Sequence, residues 1–130
     1  MKLHLWIVSI VSILIFAPVA FAQSAPAQLH VNCSIQELVS GAITETKVCI
    51  DSSTDHHGAI IFPKLSVISE IDMMIALHDG LLIVNLYHNP TGISAGSHAD
   101  ITGGKNAHAQ MILGNDRSIS VNCSKVPQCG

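Results

Sequence analysis

Aromatic rings and charged side chains are both scarce in this sequence of 130 residues. Only 4% of the residues are aromatic and 12% are charged, the latter roughly half of the fraction that is usual in soluble domains. Three of the five aromatic residues lie in the first 22 positions, so the rest of the chain has only Phe62 and Tyr87. Proteins that stack nucleic-acid bases or sugar rings rely on several aromatic side chains. Both classes of ligand are therefore disfavoured.

Basic residues are scarcer than acidic ones. Beyond residue 22 the chain has five lysine and arginine residues against nine acidic residues, which gives a formal net charge of −4. The basic residues are scattered and form no stripe that could neutralise phosphates, so no nucleic-acid partner is expected. With 48% apolar residues, the chain also lacks the composition of a disordered protein.

The first 22 residues have the anatomy of a cleaved secretory signal peptide. Lys2 precedes an apolar stretch of 13 residues from Leu5 to Ala17, and the segment ends in Ala20-Phe21-Ala22, whose small alanines suit a cleavage site. The apolar stretch is shorter than the ~20 residues that a membrane-spanning helix needs. The sequence therefore predicts a secreted or periplasmic protein, with no transmembrane segment in its mature chain.

The chain is long enough for one domain of ordinary size. We expect the signal peptide to span 1–22 and a short flexible lead-in to span 23–28. Residues 29–130 then form a single β domain that ends in a cysteine-containing tail. The large enzyme folds are excluded by this length.

Apolar residues alternate with period two, which predicts half-buried strands. The clearest case is residues 71–88, where two alternating runs flank Asp79-Gly80. Asp-Gly is a strong hairpin signal because both central residues of a type I′ turn need φ > 0. A two-residue turn pairs Leu77 with Leu82, and the same register continues along both strands.

Weaker alternation predicts further strands at 28–35, 43–50, 59–68, 93–101, 107–113 and 119–123. Pro63 lacks an amide donor, so the strand at 59–68 should lie at an edge or contain a bulge. No long stretch has helical periodicity, and 36–39 could form one helical turn at most. About eight short strands predict an all-β fold, a small antiparallel β-sandwich or a partly open barrel, stapled by disulfides.

The four cysteines of an exported chain are expected to form two disulfides. Cys33 and Cys123 lie on inward-facing stripes, whereas Cys49 shares an outward-facing stripe with charged residues and could be reached by Cys129 in the tail. This favours Cys33–Cys123 with Cys49–Cys129. The pairing of Cys33 with Cys49 and of Cys123 with Cys129 stays open as an alternative, and a zinc site is disfavoured because no paired CxxC spacing occurs.

Adjacent His56 and His57 follow Asp51 and Asp55 in a polar loop. Imidazole and carboxylate groups in such a loop could bind Zn²⁺ or Cu²⁺. The plainer interpretation is a solvated loop, because neighbouring side chains diverge and no third ligand has a fixed spacing. Four other histidines recur every ten residues, at 78, 88, 98 and 108, but the predicted pairing separates them, and the interval follows strand length.

Residues 92–96 match the G-x-S-x-G motif of serine hydrolases, with Asp100 and His108 following Ser94 in the appropriate order. That motif works where a strand turns sharply into a helix above a parallel sheet. Here it opens a strand and no helix is predicted after it. A small serine hydrolase is therefore only a formal alternative.

The sequence best predicts a non-enzymatic, exported binding or structural module, because it has a scaffold's features and no convergent catalytic set. Leu81 and Ile83 fall on the outer face of the predicted hairpin and could form a contact patch for an unknown protein or envelope component. A central strand covered on both faces within one molecule would explain them equally well. The alternative function is transition-metal binding through His56 and His57, and no motif predicts any other cofactor.

Overall fold

The computed structural model describes residues 29–51 and 58–130. These residues form eight β-strands and no helix, so none of them belongs to a helix that could span a membrane. The strands are β1 (His30–Val39), β2 (Ala42–Asp51), β3 (Ala59–Ile61), β4 (Ile71–His78), β5 (Leu81–His88), β6 (Ile93–Asp100), β7 (Ala107–Gly114) and β8 (Arg117–Val126). The signal peptide and lead-in predicted over 1–28 lie outside the described residues.

The strands form two antiparallel sheets of four strands each. The first sheet has the order β2-β1-β8-β7 and the second has the order β3-β4-β5-β6. Strands that follow each other in the chain are neighbours in a sheet, except where the chain changes sheets between β2 and β3 and between β6 and β7. The predicted all-β, antiparallel sandwich of about eight strands is confirmed.

The core lies between the sheets and contains no aromatic side chain among the described residues. Alternate residues of each long strand point into it, which is why the period-two pattern identified most of the strands. Its buried apolar members are Val31, Cys33, Ile35, Ile50, Ile68, Ile71, Met73, Ile75, Leu77, Leu82, Val84, Leu86, Ala99, Ile101, Ala107, Ala109, Met111, Ile119, Val121 and Cys123.

The β4–β5 hairpin has the predicted register. Leu77 pairs with Leu82, and Asp79 and Gly80 have φ values of 48° and 80°, as a type I′ turn requires. A second turn with positive φ at both residues, Ser40-Gly41, joins β1 to β2. Because β1 continues up to this turn, residues 36–39 are extended and do not form the single helical turn that the sequence allowed.

The strand predicted over 59–68 is shorter than expected. Only Ala59–Ile61 pair with β4, and the chain leaves the sheet before Pro63, which has no N–H to donate to a neighbouring strand. The rest of the segment crosses from the second sheet toward the first. Its backbone donors there find a side-chain acceptor instead of a strand.

That acceptor is Glu37 on β1, which is only 1% exposed and is the one charged residue buried among those described. Its carboxylate oxygens accept hydrogen bonds from the backbone N–H groups of Ser66 at 2.8 Å, Val67 at 2.8 Å and Ile68 at 2.7 Å. A carboxylate offers only acceptors, so three donors compensate for its loss of water. The contact fixes this segment against β1 and places Ile68 in the core.

Two disulfides link the described chain to itself. Cys33 and Cys123 stand directly opposite each other on β1 and β8 and are bonded, with Cα atoms 4.0 Å apart. Cys49 lies exposed on β2 and is bonded to Cys129 in the tail after β8. This is the pairing that the facing of the predicted stripes favours, and the described residues contain no free cysteine.

One end of the sandwich is closed by contacts between the two sheets. The Arg117 guanidinium at the start of β8 donates to the carboxylate of Glu70, just before β4. This hydrogen bond, together with one from the backbone N–H of Glu70 itself, lowers the pKa of Glu70. At the same end, but within the first sheet, the N–H of Ser40 in the β1–β2 turn donates to the carbonyl of Asp116 in the β7–β8 turn at 2.9 Å.

Candidate binding face of the second sheet

The outer faces of the two sheets differ in chemistry. On the first sheet, the outward side chains of the central strands β1 and β8 are mostly serine, asparagine and glutamine, such as Ser34, Gln36 and Ser120. On the second sheet, the central strand β5 exposes Leu81, Ile83 and Tyr87. The second sheet therefore exposes apolar side chains along a central strand, whereas the strongly exposed isoleucines on the outer face of the first sheet, Ile43 and Ile112, lie on its edge strands β2 and β7.

We call the outer surface of the second sheet the β5 face. It consists of the alternate residues of β3, β4, β5 and β6 whose side chains point away from the core. They are Ile60 of β3, Asp72, Met74, Ala76 and His78 of β4, Leu81, Ile83, Asn85 and Tyr87 of β5, and Ser94, Gly96, His98 and Asp100 of β6.

The strand register arranges these residues in four rows across the sheet. In order along β5, the rows are His78, Leu81 and Asp100; Ile60, Ala76, Ile83 and His98; Met74, Asn85 and Gly96; and Asp72, Tyr87 and Ser94. Apolar and small side chains fill the two central rows apart from Asn85 and His98. Histidine and carboxylate groups lie at the corners.

The apolar side chains of the β5 face are substantially exposed. The exposed fraction is 41% for Leu81, 36% for Ile83, 42% for Tyr87 and 63% for Ile60. The intervening residues of β5 are buried in the core, which explains why residues 81–87 read as a nearly continuous apolar run. In the described part of the chain, this strand is covered on one face only, so the interpretation that it is covered on both is not supported there.

A shallow hollow of about 270 Å³ lies on this face between β5 and β6. Gly96 contributes no side chain to it, and the walls include Ile83, Asn85, His98 and Met74 from β4. A Cβ atom added at Gly96 would stand 3.2 Å from the carbonyl oxygen of Val84, which is a tight contact with backbone. The glycine thus leaves room above the sheet for a side chain that comes from elsewhere.

The corners of the β5 face are polar and acidic. Asp100 accepts hydrogen bonds from the Thr102 hydroxyl and from the N–H of Gly103, and these contacts lower its pKa. His78 lies 3.3 Å from the carboxylate of Asp79 in the turn. No lysine or arginine belongs to this face, whereas Lys47 is exposed on the outer side of the first sheet.

The histidines singled out by the sequence do not converge. His56 and His57, the predicted metal ligands, lie outside the described residues. His78 and His98 share the β5 face in different rows, His88 contacts Thr91 at the end of β5, and His108 contacts Asn122 on the outer side of the first sheet. Among the described residues, no group of three or more histidine, cysteine or acidic side chains is placed to hold a metal ion.

The residues of the hydrolase alternative are also apart. Ser94 and Asp100 lie on the same strand and face, six residues from each other, a separation of about 20 Å at the rise of an extended chain. His108 lies on β7 of the other sheet and points outward to Asn122. The structure therefore brings no two of these three groups within hydrogen-bonding reach.

Several members of the face follow from the register rather than from any motif. Leu81 and Ile83 were predictable because the Asp-Gly turn fixes their parity, and Asn85 and Tyr87 follow by the same alternation. Ile60 and Gly96 join the face only through pairing across strands. No protein-family model matches this chain, and no curated protein or solved structure is significantly similar to it.

Proposed function

We propose that this protein is a non-enzymatic binding module that uses the β5 face as its contact surface. The observation that supports this most directly is the exposure of Leu81, Ile83 and Tyr87 at the centre of one sheet. Scattered exposed apolar residues are ordinary, but a contiguous patch with a polar rim is typical of a protein-interaction site. On the opposite outer face, the exposed isoleucines Ile43 and Ile112 lie on the two edge strands, and serine, asparagine and glutamine predominate on the central strands between them.

The chemistry of the face favours a protein or another envelope component as partner. Its centre offers aliphatic groups and one tyrosine ring, which bind through loss of water from apolar surface. Its corners offer carboxylates and histidines but no cation, so an anionic partner is disfavoured. The two disulfides are compatible with an oxidising compartment, where an exported module would meet such a partner.

Site-specific photo-crosslinking in the producing organism tests this proposal. A photoreactive amino acid at Ile83 should give discrete protein adducts, because this position lies at the centre of the β5 face. The matched control is the same amino acid at Gln110, which is exposed on the opposite outer face and should give few adducts. Equal labelling at both positions, or none at either, would contradict the proposed binding face.

A further inference from the structure

We propose that the β5 face is an interface between two copies of this chain. The two copies are related by a two-fold axis that lies between the facing sheets, parallel to β5. The inference rests on the proposed function, since it names the partner of the same face. Two-fold dimers are the commonest symmetric assemblies, and they require a self-complementary surface. The rows of the β5 face have this property.

A two-fold axis along β5 places β5 of one copy on β5 of the other and exchanges β4 with β6. Each residue of β4 then meets the β6 residue of its own row on the partner copy. Along the axis, Leu81 meets Leu81, Ile83 meets Ile83 and Tyr87 meets Tyr87. Aligned sheets pack face to face with their strands about 30° apart, and a two-fold axis bisects that angle naturally.

The central rows are complementary in size. In one row Met74 meets Gly96 of the other copy, and in the next Ala76 meets His98. A large side chain therefore faces a small one in both rows. The hollow beside Gly96 can accept the Met74 side chain of the second copy, and methionine is a flexible side chain that fills such irregular spaces.

The outer rows are complementary in hydrogen-bonding groups. His78 of one copy meets Asp100 of the other, and Asp72 meets Ser94. No carboxylate faces a carboxylate, although the face contains no lysine or arginine. A two-fold axis perpendicular to the strands would instead place Ile83 on Asn85, an apolar group on an amide, and is less favourable.

The size of the face sets the expected affinity. Strands β4, β5 and β6 are each eight residues long, whereas β3 has only three residues and would face no strand of the second copy. With strands spaced about 4.8 Å apart, the facing surface covers a plane of roughly 400 Å² per copy. Two such surfaces bury about 800 Å² together, which is the size of a weak, transient interface. The structure therefore predicts a weak dimer, with a dissociation constant on the order of 100 µM.

Sedimentation equilibrium of the purified, oxidised protein tests the inference. Wild-type protein should be in monomer–dimer equilibrium. Ile83→Glu and Ile83→Lys should each raise the dissociation constant about tenfold or more, because like charges meet on the axis. An equimolar mixture of these two variants should recover dimers, since opposite charges then meet. Gln110→Glu, on the opposite outer face, should leave the equilibrium unchanged.

Wild-type protein that stays monomeric up to about 1 mM, about ten times the expected dissociation constant, would overturn the dimer. So would a mixture of the two charged variants that stays as monomeric as each variant alone. The crosslinking experiment keeps the two proposals apart. Adducts from Ile83 with a different protein, together with a monomeric purified chain, would refute the dimer and leave the binding face intact.

Discussion

The buried carboxylate of Glu37 makes a strong prediction about stability. Glu37→Leu removes the acceptor for three backbone N–H groups, of which that of Ile68 is buried and those of Ser66 and Val67 are partly buried. A buried donor left without a partner costs about 1–3 kcal/mol, while the two partly buried groups can recover some bonding from water. Removing the carboxylate also relieves its own desolvation. We expect a net loss of about 2–4 kcal/mol.

Glu37→Gln should be intermediate. Its carbonyl oxygen can still accept from Val67 and Ile68, which share one carboxylate oxygen in the wild type. Its amide group, however, presents N–H donors to the N–H of Ser66. The loss of one charge-assisted bond predicts a decrease of about 1–2 kcal/mol in the free energy of unfolding. The order of stability is therefore wild type, then Gln, then Leu.

Denaturant unfolding with the disulfides intact measures these differences, and hydrogen exchange at residues 66–68 shows whether the loss is local. The matched control is Glu45→Gln, because Glu45 is exposed on β2 and accepts one bond from the Ser34 hydroxyl at 2.6 Å. Its effect should stay within about 0.5–1 kcal/mol. If Glu37→Leu is as stable as the wild type, or if the amides of 66–68 keep full protection in that variant, the account of this contact is wrong.

Two further predictions concern acid stability and metal binding. The hydrogen bond from Arg117 lowers the pKa of Glu70, so this ion pair contributes stability that is complete above the ordinary glutamate value of about 4.3. That contribution is lost as pH falls through the lower folded value. Glu70→Gln should therefore flatten the acid side of a curve of unfolding free energy against pH. Calorimetry with Zn²⁺ and Cu²⁺ should give no saturable heat, because no third ligand lies at a fixed spacing in the sequence from His56 and His57. Saturable heat that disappears when both histidines are replaced by alanine would instead support the metal-binding alternative.

The parts of the fold that were predictable from sequence are those where two local signals agree. At 71–88 the Asp79-Gly80 turn and the apolar alternation specify the same register, and a slip by one residue would turn every core side chain outward. The strand at 59–68 had only one signal. Its alternation continued past Pro63, but the proline and the distant acceptor on β1 decided where pairing stopped.

Glu37 shows why the rest could not be predicted. It occupies an inward position of β1, where alternation calls for an apolar residue, so the pattern indicates that the strand ends before it. Its partners are backbone groups about thirty residues away, and backbone donors leave no trace in a sequence. The candidate face was partly predictable for the opposite reason, since the parity of Leu81 and Ile83 depends only on the adjacent turn.

The position of the apolar patch within the sheet limits the kind of contact it can make. Leu81, Ile83 and Tyr87 lie on a central strand whose backbone groups pair with β4 and β6, so the patch offers side chains and not an open strand edge. Edges are where strands recruit other chains by backbone pairing. Here β3 is only three residues long, and the edge strand β2 carries Glu45 and Lys47. Both features oppose edge-to-edge aggregation. Association through the apolar surface is thus directed to face-to-face packing, which depends on the shape of the four rows. A charge at Ile83, whose side chain points away from the core, should weaken such packing without disturbing the sheet.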